Sequence, residues 1–194
     1  MSTLKNSFRM PTPVKITGRS SSITNSFVNS IIPVIEPTEE QIKRALQILV
    51  IDPDDMTCAY CGDRSTEWDH LNPLVSKKKP TGYVSEIANL VPACGKCNQS
   101  KGNKPWRTWM VSAARLSPKT KGISDIDQRI ELLAEYERVN HPQCIDFRAI
   151  VGDEKWDAYW IDRDKIFDAM RDAQKLAEQI RIAVHEAASH TEEL

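Results

Sequence analysis

Four of the five cysteines stand in two C-x-x-C pairs, Cys58/Cys61 in "CAYCG" and Cys94/Cys97 in "CGKCN". Each pair places two thiolates on one tight knuckle, and two knuckles complete a closed, tetrahedral four-thiolate set of the kind zinc prefers. A secreted disulfide framework rarely leaves an odd thiol, so Cys144 as a remainder favours reduced cysteines used as metal ligands. The pairs are separated by 32 residues, more than a simple zinc ribbon needs. The ion would therefore clip the base of a larger loop. Within that loop, "TEWDHLNPLV" sets Asp69 beside His70 among Trp68, Leu71, Leu74 and Val75. A carboxylate and an imidazole are costly to place where their neighbours should bury themselves. A lone Asp-His pair is most often structural; this one sits inside a metal frame.

The elements that must position these groups are legible in outline. "STEWDHLNPLV" suits a strand entering a turn, and "YVSEIANLVPAC" a turn or strand returning to the second knuckle. A helix should follow at "CNQSKGNKPW", starting near Asn98 and ending near Pro118, with Trp106, Trp109, Met110 and Ala113 on one face. Upstream, Thr38-Glu39-Glu40-Gln41 reads as a capping box. Ile42, Ala45, Leu46 and Leu49 then recur at helical spacing, and "DPDD" at 52–55 closes that helix. A further helix should run from Ser124, with Ile126, Ile130, Leu133 and Ala134 inward, and stop before Pro142. From Asp153 the tail reads as one or two helices. Trp156 and Trp160 precede a stripe of Phe167, Met170, Ala173, Leu176, Ala177, Ile180 and Val184, a packing surface within the chain or against a second copy. Residues 1–35, with "GRSSSITNSFVNS", have no sustained period and read as a flexible arm or a segment that orders on a partner. Arg19 with Ser20, Ser21 and Ser22 could meet phosphates there, although serine tracts are usually loops.

Composition is that of an ordinary soluble protein, with 40% hydrophobic and 27% charged residues. No apolar run approaches a membrane span, and the N-terminus lacks the apolar core of a secretory signal, so cytoplasm is the expected location. The net charge of −1 conceals an asymmetry. Residues 1–35 carry Lys5, Arg9, Lys15 and Arg19 with no acid. Residues 75–107 carry Lys77, Lys78, Lys79, Lys96, Lys101, Lys104 and Arg107 against Glu86 alone, whereas the chain from Cys144 onward is acidic. A polyanion would be drawn to such a local patch whatever the whole-chain balance.

Asp69-His70, Asn89-Leu90 and Cys94-Gly95-Lys96-Cys97-Asn98-Gln99-Ser100-Lys101 occur in this order, from between the knuckles through the second of them. In this respect the sequence resembles the HNH nuclease family, whose ββα-metal fold carries D-H, N-L and C-x-x-C-N-x-x-K. The likeness covers about residues 56 to 110. It implies that His70 is the general base taking a proton from water, a role an imidazole can fill near neutral pH. It implies that Asp69 and Asn98 bind a catalytic Mg2+ or Mn2+ through oxygen, Asn98 standing where many members have histidine. Asn89 would brace the loop that aims His70. Lys101 would contact a phosphate, unless it is a surface lysine; Asn98 could instead cap a helix. Glu67 falls on the Asp69 side of the strand, or pairs with a basic neighbour. His141, His185 and His190 lie outside the frame.

The expected fold is α+β and mostly helical, a zinc-pinned ββα-metal core with helical flanks. Its expected segments are an arm at 1–35, a helix at 36–55, the nuclease domain at 56–115 and a helical region at 116–194. The expected activity is metal-dependent hydrolysis of DNA phosphodiesters, by family analogy in restriction or phage defence. Structural zinc at Cys58, Cys61, Cys94 and Cys97 would accompany the catalytic ion. Lys77, Lys78, Lys79, Lys101, Lys104 and Arg107 would face duplex DNA, and the C-terminal helices could pair two copies. A zinc-pinned binding module without catalysis and an RNA-directed nuclease are the alternatives. Apart from Tyr83, little stacking surface lies between 75 and 105, which weighs against single-stranded RNA.

Overall fold

The computed structural model describes residues 8–190. Lys5 and the side chain of His190 lie outside the described part. Within it the chain divides into two compact units, Asn25–Val151 and a second one made of the residues up to Thr24 with those from Gly152 onward.

The segment read as a flexible arm, or as one that orders on a partner, is helical over part of its length. A 3-10 turn at Ile16–Arg19 leads into helix α1, Ser20–Asn29. Ser, Thr and Asn have modest helix propensity, which hid a short apolar repeat: Ile23 and Phe27 are half-buried, and Thr24 and Val28 are buried. Helix α2, Glu39–Ile48, starts on the expected capping box. Thr38 Oγ1 accepts from the Gln41 amide at 3.2 Å, and the Thr38 amide donates to Gln41 Oε1 at 2.8 Å. It stops before "DPDD", where Val50 turns to a positive φ of 54° and the Ile51 amide folds back onto the Leu46 carbonyl.

The sheets are small. Strand β1, Glu67–His70, and strand β4, Leu90–Ala93, pair antiparallel with Asp69 opposite Val91 and His70 opposite Leu90. Strands β2, Val75–Ser76, and β3, Lys79–Pro80, form a hairpin between them. Its two turn residues, Lys77 and Lys78, have φ of 47° and 64°, a conformation that Asn and Gly adopt more cheaply.

Helix α3, Gly95–Lys101, follows β4 directly. The single helix expected from Asn98 to Pro118 is instead three: α3, α4 at Trp106–Met110 and α5 at Pro118–Lys121. Gly102, at φ 49° and ψ −129°, ends the first, and Leu116 at φ 66° separates the other two. Ala113 is consequently exposed, while Trp106, Trp109 and Met110 are buried as expected. Helix α6, Ile126–Asn140, ends on left-handed His141 just before Pro142. Its Leu133 and Tyr136 complete a core with Leu46, Tyr60, Leu71 and Val91. Tyr60 meets the Trp109 ring edge-on at 5.2 Å. A short helix α7, Phe147–Val151, closes this unit.

The second unit is built on one helix, α8, Asp153–His190. Its Gln174 Oε1 accepts from the Ile16 amide at 2.7 Å. The expected stripe splits over two faces: Phe167, Met170 and Ala177 are half-buried, whereas Ala173, Leu176, Ile180 and Val184 are exposed. No helix among the described residues is long and apolar enough to cross a membrane.

Candidate metal centre and catalytic cleft

The cysteine sulfurs of Cys58, Cys61, Cys94 and Cys97 lie within 4.8 Å of one another, and all four residues are buried. Cys61 and Cys94 Sγ are 3.7 Å apart. Four sulfurs at a Zn–S length of about 2.3 Å in a tetrahedron stand about 3.8 Å apart, so the donor set fits a tetrahedral thiolate centre. Hydrogen bonding with Cys58 and Cys97 draws the Cys61 thiol well down, and bonding with Cys58 and Cys61 pushes Cys97 up. Lys121 and Arg129, which the sequence did not single out, stand beside the four cysteines. Lys121 Nζ bonds Asp63 Oδ2 at 2.7 Å, Cys61 Sγ approaches the same oxygen at 3.3 Å, and Arg129 Nη1 donates to the Cys58 carbonyl at 3.3 Å. Gly62 holds a positive φ of 78°, and an added Cβ there would come within 2.6 Å of the guanidinium Nη2, which would have to shift.

The Cys94–Cys97 knuckle launches α3 against β1, and this packing forms the cleft. Asp69, His70 and Asn98 line one cavity of about 280 Å³, together with Asn25, Asn29, Ser85 and Asn103. The strand alternation delivers Asp69 inward, with an exposure of 6%. Its Oδ2 accepts from the Tyr60 hydroxyl at 2.7 Å and from Lys101 Nζ at 3.0 Å. Burial raises the Asp69 carboxyl and lowers the Lys101 ammonium, each toward its neutral form, and the contact between them opposes both shifts.

Lys101 is therefore neither a phosphate contact nor a surface lysine. It is 1% exposed and donates to the His70 carbonyl at 2.7 Å, tying the end of α3 to β1. A long cationic side chain is expected at a surface by default; the carboxylate and the His70 carbonyl that hold this one inside come from the tertiary fold.

His70 Nε2 lies 2.8 Å from Ser85 Oγ. Burial first, and the Lys101 charge second, lower His70 to about 4, so its imidazole is neutral at physiological pH. Ser85 is itself held by the backbone: its carbonyl accepts from Ile35 at 2.8 Å, and its amide donates to Pro33 at 3.2 Å. Nothing in the sequence around Ser85 signalled this role. Asn89, 1% exposed, accepts from the Asn72 amide through Oδ1 at 2.8 Å and returns a bond to the Asn72 carbonyl at 3.1 Å. It holds the loop after His70 and is not among the residues that line the cavity.

Asn98 is the fourth residue of α3, whose N-cap is Cys94. The helix begins earlier than "CNQS" suggested, because Gly95 and Lys96 already take helical geometry, so Asn98 cannot be the cap. Glu67 is exposed, its carboxylate resting beside Gly95. Lys77 and Lys78 are exposed at the hairpin tip and Lys79 is half-buried. Lys104 Nζ caps the Ser100 carbonyl at 2.7 Å, and Arg107 pairs with Glu137 at 3.0 Å while stacking on Trp106. Cys144 is exposed.

Residues 58–104 match the family model for HNH endonuclease. The CRISPR-associated endonuclease Cas9 of Corynebacterium diphtheriae is 43% identical over 56 residues, which amount to 27% of this chain and 5% of that protein. The chain thus spans a small fraction of the length of this relative. No solved structure matches the chain significantly.

Proposed function

From this HNH endonuclease segment we propose that the chain is a metal-dependent endonuclease that hydrolyses phosphodiester bonds of double-stranded DNA. The observation that carries the reading is the meeting, in one cavity, of a neutral His70 with the oxygen donors Asp69 and Asn98. His70 accepts a proton from water as the water oxygen attacks phosphorus, and the bond from phosphorus to the 3′-oxygen breaks. The leaving 3′-oxygen takes a proton from solvent, and the products are a 5′-phosphate and a 3′-hydroxyl. Asp69 and Asn98 would hold a Mg2+ or Mn2+ ion, which when bound would stabilise charge on the phosphate and the leaving oxygen. Both donate oxygen, the ligand type such hard ions take. Ser85 and Asn89 act through His70, one on its ring and the other on its loop.

The centre formed by the four cysteines is assigned to zinc, since a closed set of four thiolates leaves no position for chemistry and suits a structural ion. The exposed lysines of the β2–β3 hairpin favour a polyanion. Restriction or phage defence is the role most in keeping with a nuclease of this kind, and the cytoplasm its expected setting. Cutting both strands together favours a pair of subunits, and a second copy would supply the second active site.

The test is incubation of the purified chain with plasmid DNA and with RNA, with and without divalent metal. Metal-dependent conversion of supercoiled plasmid to nicked or linear product is expected. Binding without cleavage under every metal would establish a zinc-pinned binding module, and cleavage of RNA alone would overturn the choice of substrate.

A further inference from the structure

Helix α8 carries an apolar stripe that its own unit does not cover. Ile166, Ala169, Ala173, Leu176, Ile180 and Ala183 recur at alternating steps of three and four, and every one is exposed, Leu176 by 57% and Ile180 by 56%. Alternating three-four spacing keeps a seam on one side of a helix and is the pattern of a coiled coil. The half-buried residues Phe167, Met170, Gln174 and Ala177 follow a separate line, about 100° around the helix, the angle of one residue step. The exposed seam is therefore a second face. Single exposed apolar residues are ordinary, but a continuous seam of them marks an interaction surface.

The order of sizes along the seam selects its occupant. We propose that this face pairs with the same face of a second copy, antiparallel, with the two-fold axis between Ala173 and Leu176. In that register Ile166 lies across from Ala183 of the other copy, Ala169 across from Ile180, and Ala173 across from Leu176. Every layer then joins one large residue to one alanine, which fills the space evenly. A parallel pair would instead stack alanine on alanine at three of the six layers and leave voids between bulkier ones. The antiparallel register also sets Lys165 against Glu186 of the second copy, on both sides of the axis. Lys165 now holds Asp162 at 2.9 Å, an exposed pair that solvent makes weak and exchangeable. Parallel helices would put Lys165 beside Met170 and gain nothing. The proposal rests on α8 alone and does not require the nuclease reading.

Sedimentation velocity on the full chain, from micromolar to hundreds of micromolar, tests it. The wild type should reversibly form a dimer. Ile180→Glu should be monomeric throughout, with unchanged helical circular dichroism, since the residue lies on the exposed seam. Lys165→Glu and Glu186→Lys should each raise the dissociation constant, roughly three- to tenfold for an exposed pair that occurs twice. Combining the two should restore it. A wild type that stays monomeric, or a dimer indifferent to Ile180→Glu, would overturn the pairing. Failure of the double exchange to rescue would overturn the antiparallel register.

Discussion

His70 and Asn98 are where the chemistry of this chain can be separated from its architecture. Removing a positioned general base costs about 10²- to 10⁴-fold in rate, and His70→Ala should lose that much cleavage while keeping metal content and DNA affinity. The same residue sets an expectation for pH. Burial holds His70 near 4, so the imidazole is an acceptor above that pH and is lost as a base only when pH falls through it. Asp69, raised by burial, would also protonate on this acid side. Cleavage should therefore persist below 6.5, the ordinary histidine value; a rate profile that halves near 6.5 would mean that the working imidazole is solvated. Asn98 offers a sharper case, because its position in the fourth place of α3 removes the capping role. Asn98→Ser shortens the reach to the cavity and should abolish cutting. Asn98→His supplies an imidazole and should retain measurable activity, with a preference moved toward softer ions such as Co2+ or Ni2+. Cleavage rates across a metal series would decide, and wild-type rates in the serine variant would remove Asn98 from the site.

At the scale of elements, two clamps hold β1, β4 and α3 together. The paired cysteine knuckles are the first. Strands of four residues and a seven-residue helix have little core of their own, and metal affinity becomes folding energy in such small elements. Serine at Cys58, Cys61, Cys94 or Cys97 should lower bound zinc and unfold the segment around 56–110, as read by elemental analysis and hydrogen exchange. A reduced wild type without zinc would refute the assignment. The second clamp is Lys101, whose ammonium joins Asp69 and the His70 carbonyl beneath the cleft. Deleting one partner of a buried ion pair strands the other, at a cost of about 3–5 kcal/mol. Lys101→Met should destabilise the chain by about that amount in denaturant titration. A change below ~1 kcal/mol would indicate that Asp69 simply takes up a proton once the lysine is gone.

For the whole molecule, the proposed function asks a chain of net charge −1 to engage a polyanion. The sequence suggested a basic segment spanning Lys77 to Arg107, and the fold narrows it. Lys101 is buried, Lys104 caps a helix and Arg107 pairs with Glu137. The β2–β3 hairpin presents Lys77 and Lys78 in a left-handed turn that holds both outward. DNA affinity should fall steeply with salt through release of condensed counterions. Neutralising Lys77, Lys78 and Lys79 together should flatten that dependence and weaken all sequences about equally. Binding titrations at several salt concentrations test this, and an unchanged slope in the triple variant would place the DNA path elsewhere.

Features whose signal is local could be read along the chain. Two C-x-x-C knuckles announce a cluster of four sulfurs able to share an ion, because each pair already sets its own spacing. Thr38 and Gln41 announce a helix start because they complete one another's hydrogen bonds within a single turn. Asp69-His70, Asn89 and Asn98 were legible as a set because the spacing of a family motif lies along the chain. What those residues touch follows from the fold. That Lys101 faces inward, that Ser85 meets His70 and that Tyr60 meets Asp69 depend on contacts between segments that no local pattern relates. Burial of a charged group follows from which partners arrive around it. The same holds for the stripe on α8: periodicity marks apolar positions, but packing decides which of them are covered and which stay exposed.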